Sequence, residues 1–231
     1  MFKKFEGFTK PFPDEEPSQP PSGIFAFCRY YTRGFEVPLI LMSLMATVVA
    51  IVEVSLFGAM GNLVDWLSTS NPETFWQENQ SELMLYGGLL LIVMPILVVA
   101  YSLLVHQTLL GNYPMSIRWL AHRYLLKQSL NFYQDDFAGR VATKVMQTSL
   151  AVRETVMKTM DVFVYVSVYF TAIVVLLAQA DWRLMIPMVI WLMCYVCIQL
   201  YFVPKLKKVA SEQADARSTM TGRIVDSYTN I

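Results

Sequence analysis

The sequence predicts an all-α membrane protein with four long transmembrane helices, cytoplasmic helical extensions and an N-terminal interfacial helix. Three observations carry this. Of 231 residues, 55% are hydrophobic and only 16% charged, an apolar share above and a charged share well below those of soluble domains. The charges are clustered, which leaves apolar runs at 37–67, 83–110, 162–180 and 184–203 nearly free of them. The basic residues fall in alternate polar segments rather than evenly. The formal net charge is zero, so no global field argues for nucleic acid.

Residues 1–22 form a polar tail with five prolines (Pro11, Pro13, Pro17, Pro20, Pro21) and no apolar stretch of signal-peptide type. It reads as extended and largely unstructured, because proline removes donors and blocks helix. Residues 23–34 differ. Ile24, Phe25, Cys28 and Tyr31 share one helical face, Arg29 and Arg33 share another, and glycines bracket the stretch. That pattern suits a short helix in the membrane interface, with its arginines toward lipid phosphates.

The first run, 37–67, is about 46 Å long if helical, more than the hydrocarbon thickness, so it tilts or protrudes. Glu53 lies inside it. One embedded carboxylate costs up to about 3 kcal/mol, while a dozen large apolar side chains return roughly 4–7, so insertion survives. Glu53 should then face protein or water. Pro95 in the second run is tolerated as a kink. The third and fourth runs are joined by a tight turn, Gln179-Ala180-Asp181-Trp182-Arg183.

All 18 Lys and Arg except Arg183 lie in the N-terminal tail and interfacial stretch, the segment between the second and third runs, or the segment after the fourth. These three segments therefore face the cytoplasm. The middle one has two arms. In 112–130, Ile117, Leu120 and Tyr124 form a stripe. In 139–160, Val141, Val145, Thr148, Val152 and Val156 recur at spacings near 3.5. Arms of about 28 and 33 Å by helical rise make an antiparallel hairpin with its tip at 131–138. Asp135 and Asp136 suit a local helix start there, and Gly139 a break. A further polar helix follows Pro204, and the sequence stops inside it without a cap, as in a piece of a longer chain.

The chemistry-bearing residue types are sparse. The two histidines, His106 and His122, are not at metal-ligand spacing, and no metal is assigned. Cys194 and Cys197 form C-x-x-C inside an apolar run, where they read as small apolar side chains. No G-x-x-x-x-G-K-[ST] occurs, so no catalytic residue is assigned and the chain has no recognisable ATPase site of its own.

Leu125-Leu126-Lys127-Gln128-Ser129-Leu130-Asn131-Phe132-Tyr133, followed by Gly139-Arg140-Val141, resembles the first intracellular loop of ATP-binding-cassette (ABC) exporters. In that family a short coupling helix precedes a helix restart. Gly222 through Ile231 resembles the start of the second intracellular loop. The Pro-rich start and residues 23–34 resemble the tail and elbow helix of bacterial half-transporters. The resemblance implies that 35–231 is an incomplete type-1 transmembrane domain, part of a six-helix unit. It implies a homo- or heterodimer in the bacterial inner membrane, with a cytoplasmic N-terminus. It further implies a nucleotide-binding domain, in the same or a partner subunit, that would hold ATP and Mg. Phe132, Tyr133, Asp135, Asp136, Asp226 and Tyr228 would meet that domain.

The substrate cavity, for a drug, lipid or peptide, would involve Glu53, with Tyr101, His106 and Gln199. An embedded carboxylate is functional by default. The alternative for Glu53 is a structural hydrogen bond to a neighbouring span, and for Phe132 and Tyr133 a cap on the hairpin. A four-span scaffold or regulatory protein, or a non-functional truncated transporter, is the competing reading of the whole chain.

Overall fold

The structure, a computed structural model, describes residues 2–69, 71, 73–135 and 138–229, with the side chains among them except at 2, 130, 134, 135, 138–140, 218, 222, 225, 226 and 229. Every regular element among the described residues is helical. Two compact units divide the chain, Met1–Ile173 and Val174–Ile231.

In the first unit, α1 (Phe2–Glu6) opens the tail and α2 (Ile24–Thr32) is the elbow helix. Gly23 and Gly34 flank α2, as the bracketing glycines anticipate. Gly34 has φ +80°, a backbone that a Cβ disfavours, and its N–H donates to Glu36 Oε2 at 2.7 Å. The chain thus turns sharply into α3 (Glu36–Thr69), which contains the whole first apolar run.

The second run lies within one continuous helix, Phe75–Leu125. It is built from α4 (Phe75–Gly88), α5 (Met94–Leu103) and α6 (Leu110–Leu125), joined by π-helical turns at Leu89–Val93 and Leu104–Leu109. Each π turn precedes a proline, Pro95 and Pro114. A proline ring clashes with the carbonyl four residues back, and a wider turn there relieves the clash.

A six-residue helix, α7 (Leu130–Asp135), follows. Then α8 (Ala138–Lys158), a π turn (Thr159–Phe163) and α9 (Val164–Ala180) carry the third run. α8, as described, begins at Ala138, one residue before Gly139. Asp135 is the last described residue of α7 rather than a helix start, and Asp136 lies outside the described residues.

The second unit holds the end of α9 and α10 (Met185–Thr229). At the turn, Asp181 Oδ1 accepts from the Arg183 N–H at 2.9 Å and starts a single 3₁₀ turn. Four helices, Glu36–Thr69, Phe75–Leu125, Val141–Ala180 and Trp182–Thr221, are long and apolar enough to cross a membrane. Their exposed Leu, Ile, Val and Phe side chains suit contact with lipid.

The buried core of the first unit sits where α3 begins and α6 starts. Phe35, Leu39, Met42, Leu109, Tyr113 and Ile117 are its most enclosed members. It joins the elbow helix, the base of α3, the start of α6 and the end of α8. Tyr113 is its centre, with the Phe35 ring 4.9 Å away. The Thr32 hydroxyl donates to the Cys28 carbonyl at 2.6 Å. Its one proton being used, it accepts from the Tyr113 hydroxyl at 2.8 Å. Tyr31 joins this core from α2, while Ile24 and Phe25 stay exposed. The apolar face of α2 is therefore half packed into the core and half exposed. Burial, then the neighbouring Tyr30 and Tyr124, push the Tyr31 phenol up to about 12.

The tail departs from expectation. Beyond Glu6 it has no regular structure, yet it is not loose: Thr9 is buried, and residues 5–18 lie against α6 and α2.

Candidate functional site

Two places in the first unit gather several of the residues singled out by sequence. One is the end of the hairpin. The arms α6 and α8 pack through Ile117 and Leu120 on one side and Val141 and Val152 on the other, all buried. The expected stripe on α8 shifts at its middle: Thr148 is exposed and Ser149 is fully buried. The cause is a polar contact, in which Arg118 Nε donates to Ser149 Oγ at 2.9 Å. Ser149 in turn donates to the Met146 carbonyl at 2.8 Å. A charge-assisted bond inside an apolar seam fixes the register of the arms, because a slip would strand the buried hydroxyl.

At the far end of these arms, α7 carries Phe132 and Tyr133, whose rings meet edge to face at 5.3 Å. The Tyr133 hydroxyl donates to the Leu125 carbonyl at 2.7 Å, a helix-end carbonyl that also accepts from the Gln128 N–H at 2.9 Å. Tyr133 thus caps the first arm, and both rings keep about 38% of their surface exposed. The cap and the exposed edge coexist. Phe132 also closes a mostly apolar groove between the arms, lined by Tyr31, Ala121, Leu125 and Val145 among others. The side chains of Asp135 and Asp226 lie outside those described. Tyr228 lies in α10 and is exposed.

The second place is inside the spans. Glu53 on α3 accepts a short hydrogen bond from the Tyr165 hydroxyl of α9. Tyr101 on α5 donates to Asp161 Oδ1 at 2.6 Å. Asp161 and Tyr165 are four residues apart on one helical stretch, so Glu53 and Tyr101 are brought to neighbouring levels of the third span. The Ser43 hydroxyl adds a donation to the Met160 carbonyl at 2.7 Å, within the π turn that opens the α-helical ladder at Thr159–Phe163. Three spans are thereby joined by polar contacts near one another.

The structural hydrogen bond considered for Glu53 is therefore present, with Tyr165 as its donor. His106 is exposed, and its Nδ1 lies 2.9 Å from the Ser102 carbonyl of its own helix. Gln199 is exposed on α10.

Sequence reasoning missed Asp161, Tyr165 and Ser43. Asp161 is the acidic residue just before the third apolar run, and its position was a signal. Its tyrosine partner, 60 residues away in the chain, left no local trace. Among the described residues no three His, Cys, Asp or Glu gather as metal ligands.

Four apolar helices, a packed pair of polar arms and inter-span carboxylate–tyrosine contacts define a multi-pass α-helical membrane domain. Residues 39–231 match the family model of the ABC transporter transmembrane region, and the chain belongs to that family. It is 46% identical over 234 residues to an "Uncharacterized ABC transporter ATP-binding protein" of Haemophilus influenzae (strain ATCC 51907 / DSM 11121 / KW20 / Rd). The match takes in 100% of this chain and 38% of that relative, so the chain spans well under half of the relative's length. No solved structure matches it.

Proposed function

We propose that this chain is the membrane-spanning part of an ATP-driven exporter in the bacterial inner membrane, with its N-terminus in the cytoplasm. Residues 1–22 are its tail, 23–34 its elbow and 35–231 the bulk of its transmembrane domain. The observation that carries this is α7: a six-residue helix between two packed arms, presenting the Phe132–Tyr133 edge to solvent.

Family membership supplies the partner, a nucleotide-binding domain of the same or a second subunit in a homo- or heterodimer. The name of the Haemophilus influenzae relative, an ATP-binding protein, supports the same reading. ATP and Mg belong to that domain.

In this reading, closure of two nucleotide-binding domains displaces α7. The displacement passes along α6 and α8, which Arg118–Ser149 and the apolar seam hold as one stiff pair, into the second and third spans. A rigid-body motion of helices then exchanges inward- and outward-open states. Asp135, Asp136, Asp226 and Tyr228 complete the contact. Glu53, with Tyr101, His106 and Gln199, faces the substrate path, and Asp161 and Tyr165 join them through the inter-span contacts. The cargo is a drug, lipid or peptide.

The test uses the chain assembled with its nucleotide-binding domain. Phe132→Ala with Tyr133→Ala abolishes substrate stimulation of ATP hydrolysis and leaves the basal rate; unchanged stimulation refutes the coupling role. Glu53→Gln alters the relative transport of cationic and neutral substrates, and identical transport of both removes Glu53 from the path.

A further inference from the structure

The stripe of α6 and its preceding π turn that meets the tail offers hydrogen-bond donors. Thr108 Oγ1 donates to the Phe5 carbonyl at 2.9 Å. Asn112 Nδ2 donates to the Glu6 carbonyl at 2.8 Å and to Thr9 Oγ1 at 3.0 Å. Trp119 Nε1 reaches the Pro13 carbonyl at 3.2 Å. One guanidinium nitrogen of Arg123 lies 3.3, 3.3 and 3.0 Å from the carbonyls of Pro13, Asp14 and Glu15. Lys127 ends the row on Glu16 at 3.2 Å.

Positions 108, 112, 119 and 123 are spaced by four, seven and four, so they fall on one helix face, and Lys127 follows in the turn just beyond α6. The tail is their complement. Pro11, Pro13 and Pro17 have no N–H to satisfy and keep the backbone extended, so the strand offers mainly carbonyl acceptors.

Side chains add to the backbone match. The Phe12 ring meets the Trp119 ring edge-on at 5.4 Å. The strand is fastened at its far end as well: the Tyr30 hydroxyl accepts from the Ser18 N–H at 3.0 Å and donates to the Ser18 carbonyl at 3.1 Å. Tail, elbow helix and α6 therefore form a closed ring, since Thr32 and Tyr113 already join the last two.

We propose that the donor stripe from Asn112 to Lys127 is a binding site for a proline-rich segment without regular structure, occupied here by the chain's own residues 9–18 with the end of α1 held beside it at Thr108, and that this strap makes elbow and lever move as one body. Only the lever's role depends on the transport reading. Docking does not, and it is what the experiment reads.

The chain is placed in lipid nanodiscs with Cys28, Cys194 and Cys197 changed to Ser and a spin label at Asp14→Cys, a side chain that is 93% exposed. The label should be motionally restricted in this parent. Arg123→Ala and Trp119→Ala should each raise the mobile fraction several-fold, and Lys127→Ala, whose ion pair is solvent-exposed, by little. Arg123→Lys keeps the charge but loses the planar fork and should release the strand nearly as well. Helical content by circular dichroism checks each variant; if one unfolds, the remaining Arg123 and Trp119 variants decide. A label that is already mobile in the parent overturns the proposal, as does one that stays restricted in the folded Arg123 and Trp119 variants. A transport or ATPase failure with the strap intact would count against the coupling role alone.

Discussion

Replacing Tyr113 probes the packing that unites elbow, first span and lever. The side chain is 0% exposed and its hydroxyl donates to Thr32, which is itself satisfied by the Cys28 carbonyl. Tyr113→Phe therefore removes one hydrogen bond and strands no donor, at a cost of about 0.5–1.5 kcal/mol. Thr32→Val is the harsher half of the pair, because it leaves a buried phenol without an acceptor, about 1–3 kcal/mol. Tyr113→Ala removes the ring from a closed site and should cost about 3–5 kcal/mol. The tilted contact with Phe35 supplies about 0.5–1.5 of that. Reversible unfolding by dodecyl sulfate in mixed micelles, followed by far-UV circular dichroism, ranks the three. A Tyr113→Ala variant within 1 kcal/mol of Tyr113→Phe would show that the site collapses freely and that this core does not hold the helices together.

Three further outcomes are expected. Gly34→Ala meets no neighbouring atom but must adopt φ +80°, so it should destabilise by about 1–2 kcal/mol in the same assay from backbone alone. Arg118→Met and Ser149→Ala should each weaken the hairpin and couple in a double-mutant cycle by about 1 kcal/mol or more, since the two side chains touch; additive costs would mean the bond contributes nothing. Tyr31 favours its neutral form in the fold, with its phenol raised from 10.0 to about 12. The stability it contributes is full below pH 10 and is lost between pH 10 and 12; Tyr31→Phe should shrink the alkaline drop in melting temperature over that window.

The helices were legible because their signals are local. Apolar runs mark the spans, glycines mark the elbow's ends, and the valine spacing marks α8. Where the reading slipped, a contact between distant segments decided. Thr148 and Ser149 both suit a helical stripe, and only Arg118, 31 residues away, selects the serine. Gly139 marks the start of α8 to within one residue. The prolines account for the lack of regular structure beyond Glu6 but not for the helix before it. The tail's docking depends on a row of donors more than 100 residues downstream, which no window of the tail reveals. Glu53 stood out as an acid in an apolar run, whereas its partner Tyr165 looks like any tyrosine in a span.

The π turn at Leu104–Leu109 holds one residue more per turn than the α-helix on either side. It acts as a phase adjuster between two halves of one rod. Each residue advances an α-helix by about 100°, so deleting a single residue there, and letting the turn relax to α, would rotate everything beyond it by roughly that angle. The half before the turn would look unchanged. On the half after it, Tyr113 would swing away from Thr32 and Arg118 from Ser149, and the donor row would turn from the tail. The angular setting of the polar arm thus rests on an insertion less than two helical turns long, placed at the end of the apolar run, ahead of the arm.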